Sequence, residues 1–337
     1  MKRLLIAGPC AAESREQVLT TARQIQAAVG GCVFRAGVWK PRTSPASFQG
    51  AGEEALEWLR EVKEETGMPL ATEVATAEHI RLALEAGVEY LWIGARTSAS
   101  PIVVENLAEA LTRYRQGADG ACAVLPKVLI KNPVNPDARL WIGNIARLER
   151  SGLPVMAVHR GCAHRPSWRM AYRLRQERPE IPILLDPSHL TGERALVARA
   201  MEKIDVLGFD GAMIEVHCNP ETALSDARQQ ITPAELGELL KTKMVAEPLD
   251  RCDDLAWLRA MIDEVDDDLW AKIEERMNLA EEIGGYKKKH LIPPLQQKRF
   301  EAILAQRLEW SKTHRISEDA VRGIMNVLHQ EALRRQQ

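Results

Sequence analysis

The sequence predicts an α/β chain, a (β/α)8 barrel of the TIM type, followed by an all-α domain of three helices. Three observations carry this. Eight short apolar runs recur along the chain, separated by longer amphipathic stretches. No glycine-rich turn of the dinucleotide-binding kind follows the first run, which disfavours the rival doubly wound sheet. After Lys241 the alternation stops, and helical periodicity alone remains.

The runs cover residues 4–7, 33–38, 70–74, 90–94, 128–130, 155–158, 183–185 and 212–216. They are short and rich in Val, Ile and Leu, so they read as strands. Between them lie helical patterns such as EEALEWLREVKEE and AEHIRLALEAG, the second closing on Gly87. Strand–helix repetition implies parallel strands, and eight units over about 240 residues is the size of a closed barrel. The polar, proline-containing TKMVAEPLDRCDD reads as a linker, which gives a barrel domain at 1–242, a linker at 243–253 and a helical domain at 254–337. Helices are expected over 254–290, over 296–313 and from 318 to the end, with Ser317 capping the third and Glu318 and Asp319 in its first turn. Along the first, Leu255, Leu258, Ile262, Val265, Leu269, Ile273, Ala280 and Ile283 form a stripe at three- and four-residue steps. One long helix and two short ones close a core poorly alone, so this domain is expected to dimerise, or to build a higher oligomer.

Composition narrows the class. The 337 residues carry a net charge of −2, so there is no global basic field and nucleic acid is not the expected partner. The six cysteines form no CxxC pair, which reads as reduced thiols in a cytoplasmic protein. The start, MKRLLIAGPCAAES, superficially resembles a signal peptide; Gly8-Pro9 breaks it early and Glu13 and Arg15 follow, so it reads as a strand. No apolar segment is long enough to span a membrane.

In such a barrel, reactive side chains gather at the carboxyl ends of the strands. At the ends of the runs or just past them stand Cys10, then Arg35 within the second run with Lys40 and Arg42 after it, Glu73 within the third, then Arg96, Lys131, His159-Arg160, Asp186 with His189, and Glu215 with His217 ending the eighth; Asp226 lies in the loop beyond. Cys10, His189, Glu215 and Asp226 are a mixed S/N/O set, suited to Mn²⁺, Fe²⁺, Co²⁺ or Zn²⁺ rather than Mg²⁺ or Ca²⁺. Any one of them alone is more often structural. Arg35, Lys40, Arg42, Arg96, Lys131 and Arg160 would repel one another at a single rim unless anions neutralise them. Phosphorylated or carboxylated substrates account for them better than surface salt bridges. The stretch WKPRTSPASFQG stiffens its loop with Pro41 and Pro45, placing Arg42 and neighbouring hydroxyls for a phosphate.

AGPCAAES, FRAGVWKPRTSPASFQG, IGAR, DPSHLTG and GAMIEVHCNPETALSD, in that order over residues 1–240, resemble 3-deoxy-D-arabino-heptulosonate-7-phosphate (DAHP) synthases of the type Iβ group. That resemblance implies metal-dependent condensation of phosphoenolpyruvate with erythrose 4-phosphate, the first shikimate-pathway step of aromatic amino acid biosynthesis. It places the metal, Mn²⁺ foremost, on Cys10, His189, Glu215 and Asp226. Phosphoenolpyruvate would meet Arg35, Lys40, Arg96, Lys131 and Arg160; erythrose 4-phosphate would meet Arg42, Thr43 and Ser44. Lys40 is the expected proton donor to the developing alkoxide, and Glu73 a candidate for the water's proton. The sister synthase of 3-deoxy-octulosonate 8-phosphate is the alternative, but its loop typically reads KANRSS where this chain has KPRTS. Many group members carry Glu where this chain has His159. A non-enzymatic role on a decayed barrel would require lost rim residues, and the central ones are present.

In the helical part, Arg276 and Lys287 fall in phase with the apolar stripe, Arg259 lies at its edge, and Gln336 is in phase with Met325, Leu328 and Ala332. Cations inside a bundle need either carboxylate partners or a bound dianion. LAWLRAMIDEVDDDL, EERMNLAEEIGGYK and LHQEALRRQ, over residues 253–337, resemble the all-helical chorismate mutases. The matching positions are Arg259, Arg276, Lys287, Gln296, Arg299 and Gln336, with Arg276, Lys287 and Gln336 nearest the chemistry and Arg259 reaching a partner's pocket. Family members commonly have an acid at 296, glutamate at 300 and serine at 332, where this chain has Gln296, Phe300 and Ala332. The resemblance implies rearrangement of chorismate to prephenate by a bifunctional enzyme; the alternative is a prephenate-sensing, dimerising module with little turnover. With its first residues reading as the first strand, the chain is expected to lack the extra N-terminal regulatory domain of some relatives, and feedback control by prephenate is expected to act through the helical part.

Overall fold

Eight parallel strands, β1 (Leu4–Gly8), β2 (Val33–Arg35), β3 (Leu70–Glu73), β4 (Tyr90–Ile93), β5 (Lys127–Lys131), β6 (Val155–His159), β7 (Ile183–Leu185) and β8 (Gly211–Glu215), pair in chain order. The sheet closes where β8 meets β1, with Leu4 opposite Gly211 and Gly8 opposite Glu215. A computed structural model describes residues 3–41, 46–117, 125–243 and 254–336. The near-continuous apolar runs follow from burial on both faces. Ile6, Ala71, Trp92, Leu129, Val158, Leu184 and Met213 fill the barrel interior, while their neighbours Ala7, Leu70, Leu91, Ile130, Ala157, Ile183 and Ile214 face the helices.

The outer layer is α1 (Arg15–Val29), α2 (Glu54–Thr66), α3 (Ala77–Glu85), α4 (Pro101–Arg115), α5 (Ala138–Glu149), α6 (Trp168–Glu177), the short α7 (Pro187–Thr191), α8 (Arg194–Val206) and α9 (Pro233–Lys243). Ser14, Thr76, Ser100 and Asp137 cap α1, α3, α4 and α5 through their side-chain oxygens. β2 is shorter than its apolar run. After Arg35 the chain leaves the sheet to pair with the β1–α1 loop, Gly37 N–H donating to Cys10 O at 3.2 Å.

The last long helix, α10, runs Asp254–Lys289, and α11 (Gln297–Ser311) and α12 (Glu318–Arg335) follow. Two compact units result, Met1–Met261 and Ile262–Gln337, so the division falls inside α10. Residues 244–253 of the expected linker lie outside the described residues. In the first unit, the opening turns of α10 bury Trp257 and Ala260, while Leu255 and Leu258 of the expected stripe are exposed. Trp257 is buried against Phe209, Tyr172 and Trp168, with ring centroids 5.6, 6.0 and 6.4 Å away. In the second, Ser317 Oγ accepts from Ala320 N–H and starts α12. Met277, Ala280 and Ala332, flanked by Ile273 and Leu328, form a small core. Farther up the expected stripe, Val265 is 65% and Leu269 53% exposed.

Candidate active site

Strand alternation decides which rim residues face inward. Cys10 follows β1, Glu215 ends β8, and Asp226 arrives from the β8–α9 loop in a left-handed conformation at φ +50°. Donor atoms of these three lie within 4.8 Å of one another, and Cys10 Sγ is 2.9 Å from Asp226 Oδ2. His189, on α7, lies outside this group of three, its Nε2 3.7 Å from Glu215 Oε1. Its Nδ1 stands 2.9 Å from Asp186 Oδ2, off hydrogen-bond alignment. Burial first, then Glu215, push the Cys10 thiol up, with Asp226 adding and Lys40 opposing. Burial would likewise raise the Glu215 carboxyl, but His189 and Arg35 outweigh it and hold it below the usual carboxylate value. A buried thiol crowded by carboxylates becomes a thiolate readily only beside a cation, which is the chemistry of a metal site.

Beside this cluster is a cavity of about 80 Å³, lined among others by Lys40, Glu73, Arg96, Lys131, Arg160 and His189, with Trp92 in its wall. Lys131 Nζ donates to Asp186 Oδ2 at 2.7 Å. Arg160 is fixed through its backbone, its N–H donating to Asn132 Oδ1 at 2.7 Å. Arg35 is fully buried and does not line the cavity; it donates to Glu215 Oε1 at 3.1 Å and stacks over Trp92. Its Nε and Nη1 have no hydrogen-bond partner among the described residues. Arg42, Thr43 and Ser44 lie outside the described residues. Beyond Asp226 opens a wider depression of about 920 Å³, with His164, Arg194 and Arg228 in its wall.

Lys40 Nζ lies 3.3 Å from Glu73 Oε2. Burial works against its charge, but Cys10 and Glu73 more than offset this and hold the ammonium above the usual lysine value. Two glycines make room for the pair: a Cβ on Gly37 would collide with Lys40 Nζ, and one on Gly94 with Glu73 Oε1.

His159 turns outward, as strand alternation requires after the inward Val158. It is buried among Trp141, Trp168 and Phe209, and Nε2 donates to Pro166 O at 2.7 Å. This position thus belongs to the packing layer rather than to the cavity. His217 is also structural, its Nδ1 accepting from Asn219 N–H.

In the helical unit, Lys287 Nζ is 2.9 Å from Gln336 Oε1 and 2.6 Å from Pro294 O. Arg276 Nη1 donates to Leu328 O at 3.0 Å. Burial first, then Arg276 and Lys287, lower His329, whose ring stacks on Phe300 at 4.0 Å. Gln296 and Arg299, at the start of α11, are exposed. Arg259 is exposed and belongs to the first compact unit.

Residues 1–112 and 167–247 match the DAHP synthetase I family. The chain belongs to that family. Residues 258–337 match chorismate mutase type II, so a DAHP synthetase I barrel is fused here to a chorismate mutase type II domain. A phospho-2-dehydro-3-deoxyheptonate aldolase of Thermotoga maritima is 32% identical over 67% of this chain, which spans 64% of that relative's length. A 2-dehydro-3-deoxyphosphooctonate aldolase of Wolinella succinogenes is 27% identical over 70% of this chain and 96% of its own. The crystal structure of the Thermotoga maritima DAHP synthase superposes with a TM-score of 0.62 at 30% identity, covering 72% of this chain and 68% of that one. A truncated form of the Thermotoga enzyme gives 0.59 at 25% identity, covering 72% and 85%. The match to the DAHP synthetase I family omits 113–166, which includes β5 and β6, yet both strands take their places in the closed barrel and bring Lys131 and Arg160 to the cavity.

Sequence reasoning missed Trp92, Gln229 and Gln230. Trp92 has Arg35 Cζ 4.7 Å and Lys40 Nζ 5.6 Å from its ring centroid, yet in the sequence it is one more apolar strand residue. Counting inward positions on β4 from Tyr90 was the available signal.

Proposed function

We propose that the barrel condenses phosphoenolpyruvate with erythrose 4-phosphate to DAHP plus phosphate, and that the helical domain rearranges chorismate to prephenate. One observation supports the first activity most: Cys10, Glu215 and Asp226 converge beside a cavity whose wall carries Lys40, Arg96, Lys131 and Arg160. The donor set fits a divalent transition ion, Mn²⁺ foremost and Fe²⁺, Co²⁺ or Zn²⁺ as alternatives, held by Cys10, His189, Glu215 and Asp226. Such an ion supplies Lewis acidity toward an aldehyde oxygen.

The remaining steps belong to side chains. Arg96, Lys131 and Arg160 grip the phosphate and carboxylate of phosphoenolpyruvate. The unpaired buried nitrogens of Arg35 would find an anion from below. Arg42, Thr43 and Ser44 hold the erythrose phosphate in this reading. The enol C3 attacks the aldehyde carbon, and Lys40 Nζ gives a proton to the developing alkoxide. Glu73 Oε2 takes one from the water that adds at C2, and phosphate leaves by C–O cleavage. The test is condensation with erythrose 4-phosphate against arabinose 5-phosphate, with and without chelator. Turnover with erythrose 4-phosphate that chelation abolishes is expected. A preference for arabinose 5-phosphate would favour the second reading, an octulosonate 8-phosphate synthase, which the near full-length Wolinella relative supports.

In the helical domain, Arg276 and Lys287 would take the two carboxylates of chorismate together with Arg299 and the partner's Arg259, while Lys287 and Gln336 face the ether oxygen and Gln296 the substrate's polar rim. No acid–base or covalent step is needed: restraint of the reactive conformer and electrostatic stabilisation suffice. The exposed apolar residues of α10 support a homodimer through this domain. Prephenate is its product and our proposed feedback inhibitor of the barrel. Lys287→Ala in the full chain should remove mutase turnover and blunt that inhibition; retained inhibition would refute this route. Among the described residues no helix is long and apolar enough to cross a membrane, in keeping with a cytoplasmic site of action.

A further inference from the structure

Two adjacent amides stand behind the cluster of Cys10, Glu215 and Asp226, and both are buried: Gln229 is 5% exposed and Gln230 0%. Gln229 Nε2 donates to Glu215 Oε2 at 2.7 Å, while Arg35 donates to the other oxygen at 3.1 Å. Each oxygen of that carboxylate therefore has one fixed donor, and its plane is set. Gln230 faces elsewhere. Its Oε1 accepts from Cys10 N–H at 3.0 Å, and its Nε2 donates to Ser225 O at 2.8 Å. One side-chain amide thus ties the loop bearing the thiol to the residue before Asp226.

The segment holding both glutamines is itself anchored. Gln229 N–H donates to Asp226 O at 3.1 Å, closing the turn that puts Asp226 in its left-handed conformation. From α8, Arg194 donates through its backbone N–H to Arg228 O at 2.7 Å and through Nε to Gln230 O at 2.7 Å. Past Gln230, Ile231 pairs with Val216 and continues the line of the sheet.

We propose that Gln229 and Gln230 are positioning residues for the metal, a clamp in which one amide aims Glu215 and the other sets the distance between Cys10 and Asp226. Donors drawn from the two ends of the barrel sequence hold a small ion tightly only if their spacing is fixed beforehand, and groups behind ligands typically tune affinity by about 10–100-fold. An amide suits both places. A carboxylate at 229 would oppose Glu215, and at 230 it would lose the donor to Ser225 O.

This rests on reading Cys10, His189, Glu215 and Asp226 as the metal site, and the experiment separates the two ideas. Full-length protein is titrated with Mn²⁺, free ion being followed by electron paramagnetic resonance, and with Co²⁺, whose bond to a thiolate gives a near-ultraviolet charge-transfer band. Gln229→Met is expected to weaken Mn²⁺ binding by about 10–100-fold and keep the Co²⁺–thiolate band. Gln230→Met is expected to weaken binding similarly and diminish the band. Gln230→Glu, which keeps the size and the acceptor for Cys10 N–H, should keep the band and lose affinity. Chorismate mutase turnover and circular dichroism in the same samples show whether each chain is folded; should a Met variant unfold, Gln230→Glu carries the test alone. Wild-type protein that binds but no folded variant that differs from it overturns the clamp. Wild-type protein that binds neither ion overturns the metal reading, and the clamp with it.

Discussion

Gly94 faces the carboxylate of Glu73, which in turn sits 3.3 Å from Lys40 Nζ. Gly94→Ala would push that carboxylate away and leave the buried ammonium without its partner. Condensation should fall by about 100-fold or more, the usual scale for losing a positioned acid or base. Mutase turnover of the same chain should not change. A variant with wild-type condensation would show that Glu73 takes no part. At this scale the ionisable groups were legible in sequence, because barrel strands deliver them at a fixed place: Cys10, Lys131 and Arg160 follow apolar runs and Glu215 ends a strand. The amides were not. Gln230 meets Cys10 across 220 positions, carries no charge and belongs to no pattern, so only the folded chain shows what it touches. His159 shows the opposite error. It looks like a rim group beside Arg160, but a one-residue step along a strand reverses the face.

Among elements, the layer outside β6 couples sequence segments that have nothing obvious in common. His159, Trp168, Phe209 and Trp257 come from β6, α6, the approach to β8 and the first turns of α10. Burial lowers His159 to about 4, with the Pro166 carbonyl opposing and Arg160 adding. The unfolded chain protonates it near 6.5, so between those values the unfolded state binds the extra proton. This contribution to stability is whole above about pH 6.5 and declines as pH falls toward 4, by up to about 3 kcal/mol. Urea unfolding at about pH 7 and about pH 4.5 should show the loss, and His159→Phe should have a flatter dependence. An identical pH slope in that variant would mean other groups set it. Trp257→Ala should destabilise the barrel unit by about 3–5 kcal/mol, as expected for emptying a large core site. A cost below about 1 kcal/mol would show the indole to be dispensable. Helix caps such as Ser317 were readable locally, whereas this layer depends on helices meeting far from their place in the chain.

For the whole molecule, the closed eight-stranded order was legible because strand–helix alternation leaves few alternatives. What single-chain reasoning leaves open is the outer face of α10, where Val265 and Leu269 are exposed. If a second copy covers them, replacing both with Asp should shift sedimentation from dimer toward monomer. Mutase turnover should fall with it, while condensation by the barrel should remain. Wild-type protein that sediments as a monomer at micromolar concentration would refute the shared interface. The position of Trp257 has a genetic corollary. Residues 254–261 supply the barrel with a core indole, and within the same eight residues lies Arg259, which the mutase reading requires. On that reading no single cut serves both products. If both proposed activities were expressed from separate genes, that octapeptide would be encoded twice, once at the end of one reading frame and once at the start of the other.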